Sequence, residues 1–287
     1  LRDNEYLGVK DFVLDYHGDI IAYIMDQRSV SFSEVVANIK KILGITDKIA
    51  PRQRSLFGGI YENIGKDVVQ EVPEYSETIM NDYVPIGNKR WLKDGISLAT
   101  QHKYDVRYDP QEDLIVFPWR SATSGAIIAV KARINYPVID GCSKYFYLHQ
   151  GPVSQSLYNY SENYDRLVGC DRVFVAESEK TCMILDTWGI PTSVAIGSHA
   201  LSSTQASLLA ALNTKEICLI LDKDLPLTET EKNIQTLRDA LFMKDCTLSY
   251  WDWTLNTSVC TKGAPVDMGY AVFKDLCKNE IKTVATN

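Results

Sequence analysis

Residues 172–177, Arg-Val-Phe-Val-Ala-Glu, form a short run of β-branched and aromatic residues that ends in an acid. Similar runs alternate with helix-forming segments over residues 168–287, and this alternation is typical of βαβ units. It predicts a parallel sheet with helices on both faces, followed by a C-terminal helical tail. The predicted strands are 172–176, 192–196, 217–221 and 246–251, and the predicted helices are 179–188, 202–212 and 228–243.

Acidic residues follow two of these strands. Glu177 comes directly after the first, and Asp222 and Asp224 come directly after the third. Ligands of open parallel sheets bind beyond the carboxyl ends of the strands, and oxygen ligands alone suit Mg²⁺ or Mn²⁺. The pair Asp222 and Asp224 alone is better explained as a solvated cap of the next helix, whereas the addition of Glu177 favours a metal site. Glu179 and Asp252 are further acids near this edge, although Glu179 also fits the first turn of a helix.

Residues 76–167 have the pattern of an α+β subdomain. Short apolar runs at 114–117 and 126–130 flank a Ser-Ala-Thr-Ser-Gly turn and predict a β-hairpin, and 144–148 predicts a further strand. Alternation along a strand places Lys131 and Arg133 on one face. Without further information, a solvated face is the better interpretation of these charges. The basic residues that accompany the predicted strands are Arg120, Lys131, Arg133 and Lys144.

The N-terminal part divides into two segments. Residues 17–43 are interpreted as two helical pieces, the first opened by Gly18-Asp19 and the second by a Ser-x-x-Glu capping box at 31–34. Glycine, proline and arginine interrupt any period over 47–75, which is interpreted as a linker between a small module at 1–46 and the rest.

Composition excludes several classes of protein. The 287 residues are 45% hydrophobic and 23% charged, which indicates folded, globular material with about two domains. No apolar run is long enough to span a membrane and no secretory signal is visible, so a cytoplasmic protein without membrane contact is expected. Seven scattered cysteines without a C-x-x-C pair disfavour a disulfide framework or zinc knuckle. The net charge of −7 argues against a basic coat, although a local basic groove is compatible with it.

Three other signals are weak or missing. The chain has no G-x-x-x-x-G-K-[ST] loop, which excludes an ATP-driven motor within these residues, and it has no nucleophile elbow. His199 follows Gly197-Ser198 and could contact a phosphate, but a satisfied loop histidine is the better interpretation.

Several short motifs follow one another in a recognisable order. They are Trp91-Leu92-Lys93-Asp94-Gly95-Ile96, Phe117-Pro118-Trp119-Arg120, Ala129-Val130-Lys131-Ala132-Arg133, Lys144-Tyr145, Leu157-Tyr158, Val175-Ala176-Glu177, Gly189, Val194-Ala195-Ile196-Gly197 and Leu221-Asp222-Lys223-Asp224. In this order they resemble the motifs of DnaG-type bacterial and phage DNA primases. The last third of the chain resembles the primase TOPRIM domain, and the resemblance extends upstream over nearly all of 76–287. Residues 18–36 are similar to the end of the primase zinc-ribbon domain.

The resemblance implies an α/β fold with a TOPRIM-type parallel sheet flanked by helices. An α+β basic subdomain would precede this sheet, and a zinc-ribbon-like remnant without metal ligands would form residues 1–46. No zinc is expected in these residues. Residues 76–167 would bind the template, and 168–287 would form the catalytic domain and its tail.

The implied activity is synthesis of a short RNA primer from ribonucleoside triphosphates on single-stranded DNA, with a replicative helicase as partner. Glu177, Asp222 and Asp224 would be catalytic metal ligands for Mg²⁺ or Mn²⁺, and Asp267 would join them. Ala264 stands where the family has a further acid, and Ser178 and Thr181 also depart from its pattern. The implied template or nucleotide contacts are Arg120, Lys131, Arg133 and Lys144.

Three alternatives remain open at this point. The acidic edge alone would also serve a TOPRIM nuclease or a topoisomerase fragment. A receiver-like signalling module also gathers acids at strand ends, but the lysine that it needs after a later strand is missing near Trp251. A non-catalytic nucleic-acid scaffold would follow if the change at Ala264 is disabling.

Overall fold

The structure is a computed structural model that divides into two compact units, residues 1–69 and 70–287. The described residues are 8–11, 16–19, isolated helical positions between 24 and 41, 73–137, 143–242, 244–254 and 263–284.

The smaller unit contains an antiparallel hairpin. Strand β1 (Gly8–Asp11) pairs with β2 (Tyr16–Asp19), with Gly8 opposite Asp19. The prediction that a helix opens at Gly18-Asp19 is therefore wrong, because both residues lie in β2. Positions 24, 27, 28, 35, 38 and 41 are helical, as the pattern predicts. Most of the predicted module at 1–46, and residues 47–72 of the predicted linker, lie outside the described residues.

The larger unit begins with short helical elements and a four-stranded antiparallel sheet in the order β3-β4-β5-β6. The predicted hairpin is β4 and β5, which are longer than their apolar runs because both continue into the basic residues. The elements are a 3-10 helix (Glu77–Asp82), α1 (Lys89–Lys93), α2 (Leu98–Lys103), β3 (Arg107–Asp109), β4 (Leu114–Arg120), β5 (Ile127–Ile134) and β6 (Tyr145–His149).

A five-stranded sheet follows, in the order β11-β10-β9-β7-β8. Its strands are parallel except β11, an antiparallel edge strand that the sequence pattern did not predict. The elements are α3 (Tyr164–Leu167), β7 (Val173–Ala176), α4 (Glu179–Thr187), β8 (Ser193–Ala195), α5 (Ser203–Ala211), β9 (Glu216–Leu219), α6 (Leu227–Ala240), β10 (Thr247–Trp251), α7 (Tyr270–Asn279) and β11 (Ile281–Thr283).

Helices cover both faces of the five-stranded sheet, which explains why its strands read as continuous apolar runs. On β7, Val173 and Val175 pack with α5 and α6, whereas Phe174 and Ala176 pack with α4 and α7. The α4 side also contains Phe117 of β4, so the two sheets share one core. The predicted α/β architecture is confirmed.

The predicted boundary at 167/168 crosses continuous packing. Tyr158 forms an antiparallel bridge with Ala195 of β8, and its ring also makes an edge-to-face contact with the Trp119 ring of β4. The boundary stays a prediction. No helix in the described part of the chain combines the length and apolarity needed to cross a bilayer.

Candidate metal centre and the basic face of β5

The carboxyl ends of β7 and β9 lie side by side, since these strands are parallel neighbours in the sheet. The backbone N–H of Asp222 donates a hydrogen bond of 3.0 Å to Oε1 of Glu177. The structure thus brings together two of the acids that the sequence predicts at this edge. Their role as metal ligands stays a prediction.

Two further predicted acids influence Asp222 electrostatically. Burial raises the pKa of Asp222 to about 7, and the negative charges of Glu177, Asp224 and Asp267 add to the effect, while His199 opposes it. Asp267 lies in the 3-10 helix Pro265–Met268, where its Oδ2 accepts the N–H of Ala264 at 3.0 Å. We refer to Glu177, Asp222, Asp224 and Asp267 as the acidic edge.

One oxygen of Asp222 lacks a partner. Oδ1 is buried and accepts no hydrogen bond within the described structure. A buried carboxylate without a donor is costly, and neighbouring like charges increase that cost. A divalent cation would relieve both effects, and the all-oxygen donor set suits Mg²⁺ or Mn²⁺. Among the described residues, however, no group of three or more His, Cys, Asp or Glu side chains is arranged to hold a metal ion.

His199 also contacts the acidic edge, which sequence reasoning missed. Its Nδ1 lies 2.7 Å from Oε2 of Glu177, so the two Glu177 oxygens have separate protein partners. The His199 side chain is 77% exposed, so its other edge faces solvent. The short Gly197-Ser198 loop at the end of β8 was the available signal, but it does not identify Glu177 as the partner.

Two acids that the sequence placed near this edge are engaged elsewhere. Glu179 begins α4 and forms a buried ion pair with Lys131 of β5. Asp252 forms an ion pair with Lys282 of β11 and accepts a hydrogen bond from the Thr254 hydroxyl.

The basic face of β5 is buried. Lys131 and Arg133 share one face, as alternation predicts, but each is only 8% exposed, so the expectation of a solvated face is wrong. Helix α4 and the aromatic residues of β6 cover this face. The guanidinium of Arg133 lies over the ring of Tyr145, one nitrogen donates to the Ile134 carbonyl at 3.3 Å, and Nε has no partner among the described residues.

The other two predicted basic contacts differ in their surroundings. Arg120 is bound to both carboxylate oxygens of Glu77, at 2.5 and 3.1 Å, and it donates to the Gly125 carbonyl. Lys144 is exposed just before β6. The structure therefore does not gather the four basic side chains into one free cluster.

Comparison with known proteins agrees with the fold. No protein-family model matches the chain. An uncharacterized SPbeta prophage-derived protein, YorJ of Bacillus subtilis strain 168, is 23% identical over 283 residues, which cover 88% of this chain and 75% of YorJ.

Solved primase structures also resemble the chain. The zinc-binding and RNA polymerase domains of the Aquifex aeolicus primase superpose with a TM-score of 0.51 at 16% identity, covering 94% of this chain and 72% of that one. A DnaG primase catalytic domain bound to single-stranded DNA matches with a TM-score of 0.49 at 16% identity, over 61% of this chain and 68% of that one. The primase fragment of the bacteriophage T7 primase-helicase matches with a TM-score of 0.37 at 17% identity, over 59% of this chain and 70% of that one. The chain has the fold of a DnaG-type primase.

Proposed function

We propose that this protein is a DNA primase that synthesises short RNA primers from ribonucleoside triphosphates on single-stranded DNA. The observation that carries the proposal is the acidic edge, where a buried oxygen of Asp222 has no partner in the described part of the chain and lies beside Glu177 at the end of two parallel strands. The shared fold supports the same activity.

The acidic edge would hold Mg²⁺ or Mn²⁺. Bound there, the ions would polarise the triphosphate and stabilise the pyrophosphate leaving group. Glu177 is oriented from both sides, by the Asp222 N–H and by His199, which limits its rotation. Asp222 offers Oδ1, and Asp267 is held toward the edge by the Ala264 N–H. Ala264 supplies no oxygen from its side chain, so Asp267 alone would serve that part of the site.

The template would contact basic residues of the four-stranded sheet. Arg133 keeps a charged guanidinium whose Nε lacks a partner among the described residues, and it could bind a phosphate if the covering Tyr145 ring moved aside. Lys144 is exposed and available to a phosphate. Arg120 could contribute only if a phosphate displaced Glu77 from it. Lys131 is engaged in its ion pair with Glu179.

The primers would serve a replicative helicase and polymerase in the cytoplasm, in the host cell if the protein is phage-encoded. The prophage origin of YorJ agrees with a phage setting. An upstream zinc-binding region and a downstream helicase-docking region are therefore relevant additions to any activity assay.

A primer-synthesis assay tests the proposal. Wild-type protein, with and without an upstream zinc-binding region, is incubated with single-stranded DNA, ribonucleotides and Mg²⁺ or Mn²⁺. We expect short RNA products that fall at least about 100-fold in Asp222→Asn and in Asp224→Asn. DNA binding should persist in both variants. Asp171→Asn is the matched control, because Asp171 is an exposed acid that precedes β7, at the amino-terminal ends of the strands and away from the acidic edge.

The same assay distinguishes the competing activities. Undiminished product from both variants would contradict the metal assignment. Divalent-dependent nicking of DNA without ribonucleotides, and without RNA product, would support a TOPRIM nuclease instead. Binding of DNA with neither activity would leave a non-catalytic nucleic-acid module.

A further inference from the structure

A buried ion pair joins the two sheets. Nζ of Lys131, on β5, lies 2.5 Å from Oε1 of Glu179, the first residue of α4. The two residues are 8% and 3% exposed. Glu179 is two residues beyond Glu177, so this ion pair anchors the turn between β7 and α4 that carries Glu177 of the acidic edge.

Burial of this ion pair has an unfavourable desolvation free energy. The mutual attraction of the two charges offsets the loss of solvation only in good geometry. Apolar residues of similar volume often stabilise such positions equally well or better. Lys131 also lies against three aromatic rings, with Nζ 5.6 Å from the Trp119 centroid, 5.3 Å from Tyr147 and 6.0 Å from Tyr145. These contacts hold the ammonium group in one place.

Trp119 provides a second anchor to the same turn. A Cβ at Gly197 would lie only 2.6 Å from the Trp119 ring, so the ring packs closely beneath the Gly197 backbone. The Gly197 N–H donates to the Glu177 carbonyl at 2.9 Å. The four-stranded sheet therefore fixes the Glu177 turn at two points, through Lys131 to Glu179 and through Trp119 to Gly197.

We propose that Lys131 is a positioning residue. Its ion pair with Glu179 holds the Glu177 turn in the position in which the Glu177 carboxylate accepts the hydrogen bond from the Asp222 N–H. Lys131 does not contact the template. The inference rests on the proposed function, because it assigns to the acidic edge the metal site of that proposal. It replaces the expectation that Lys131 is a template contact.

Removing both charges separates positioning from simple stability. Lys131→Met alone leaves Glu179 buried and unpaired, and we expect its melting temperature to fall by about 10 °C. The double variant Lys131→Met/Glu179→Met removes one positive and one negative charge, so the net charge near the acidic edge is unchanged. We expect it to recover most of the lost melting temperature.

Mn²⁺ affinity, measured by electron paramagnetic resonance on the full chain, is the first readout. Supporting partners of metal ligands typically change affinity by 10–100-fold, so we expect about tenfold weaker binding in the stable double variant. Arg172→Met/Glu216→Met is the matched control, because it removes an ion pair between the residue before β7 and the first residue of β9, at the amino-terminal ends of these strands. Equal Mn²⁺ affinity in wild type and the Lys131 and Glu179 double variant would overturn the proposal.

The salt dependence of single-stranded DNA binding is the second readout. A residue that contacts a phosphate contributes about one unit to the slope of log affinity against log salt. We expect the Lys131 and Glu179 double variant to keep the wild-type slope. A slope lower by about one unit would identify Lys131 as a phosphate contact and overturn the positioning role.

These readouts stay independent of primer synthesis. Wild-type protein that binds Mn²⁺ but makes no RNA would contradict the primase proposal, while Mn²⁺ affinity and the salt slope would still decide the role of Lys131. Wild-type protein that binds no Mn²⁺ would overturn the positioning role, since there would be no metal site to position.

Discussion

The Asp222 N–H and the Glu177 carboxylate are joined by a hydrogen bond between residues 45 positions apart in the chain. The bond directs one carboxylate toward the residue that carries another. The negative charge of Glu177 adds to the burial that raises the pKa of Asp222, and repulsion between like charges held close together opposes folding. A structure that keeps this arrangement loses stability at the acidic edge unless a cation is bound.

The first prediction concerns the stability of metal-free protein. The pKa of Asp222 is raised to about 7 in the folded state, whereas an unfolded Asp titrates near pH 4. The resulting destabilisation is absent below about pH 4, grows as pH rises, and is complete above about pH 7. In the presence of a chelator at pH 8, the free energy of unfolding of Asp222→Asn should therefore exceed that of wild type by about 2 kcal/mol, a value reduced for partial exposure of the group.

Thermal unfolding at pH 4, 6 and 8 measures this difference. We expect coincident melting temperatures at pH 4 and a gap of about 5 °C at pH 8. Asp171→Asn serves as control, because the hydrogen bond from Lys215 lowers rather than raises the pKa of Asp171. Melting curves of Asp222→Asn that follow wild type at every pH would show that Asp222 is not destabilising.

The second prediction concerns divalent ions. A ligand that binds only the folded state at 100 times its dissociation constant stabilises that state by about 2.7 kcal/mol. Mg²⁺ or Mn²⁺ should therefore raise the melting temperature of wild type at pH 8. The rise should be largely absent in Asp222→Asn and in Asp224→Asn, and calorimetric titration provides an independent affinity. An equal rise in all three proteins would place the bound ion elsewhere.

Sequence patterns predicted the strands and the edge where the acids meet. Short apolar runs are buried on both faces, as in β7 and β9. Parallel neighbours end at one edge, so the sequence placed Glu177 and Asp222 together on the condition that their strands are neighbours, which they are in the structure. Alternation likewise placed Lys131 and Arg133 on one face.

Which element covers a strand face depends on tertiary packing, and local sequence patterns did not predict it. The expectation of solvated charges on β5 is wrong because α4 brings Glu179, which lies 48 residues further along the chain, onto Lys131. Strand β11 was missed because three residues at a sheet edge carry too little pattern. The contact of His199 with Glu177 depends on the placement of β8 beside β7, which no local signal specifies.

The third prediction concerns template binding by Arg133. Its guanidinium is buried under the Tyr145 ring, and its Nε has no partner among the described residues, so a phosphate that displaced this ring would satisfy it. Arg133→Ala should weaken single-stranded DNA binding by about tenfold and lower the salt slope by about one unit. Fluorescence anisotropy between 50 and 300 mM salt measures both. Lys215→Ala, at an exposed ion pair before β9, is a control that should change neither, and unchanged affinity in Arg133→Ala would exclude the phosphate contact.

The last prediction separates backbone strain from close packing at the Glu177 turn. Gly189 and Gly197 both have positive φ, of +79° and +71°, so alanine is strained at either position by about 1–2 kcal/mol. A Cβ at Gly189 meets no atom within 4 Å, whereas at Gly197 it meets the Trp119 ring at 2.6 Å. Gly197→Ala should therefore cost about 1–3 kcal/mol more than Gly189→Ala in urea denaturation. It should also weaken Mn²⁺ binding, because the Gly197 N–H that holds the Glu177 carbonyl must move with the displaced backbone. Equal losses of stability in the two variants, with equal Mn²⁺ affinity, would show that Trp119 does not fix the position of this turn.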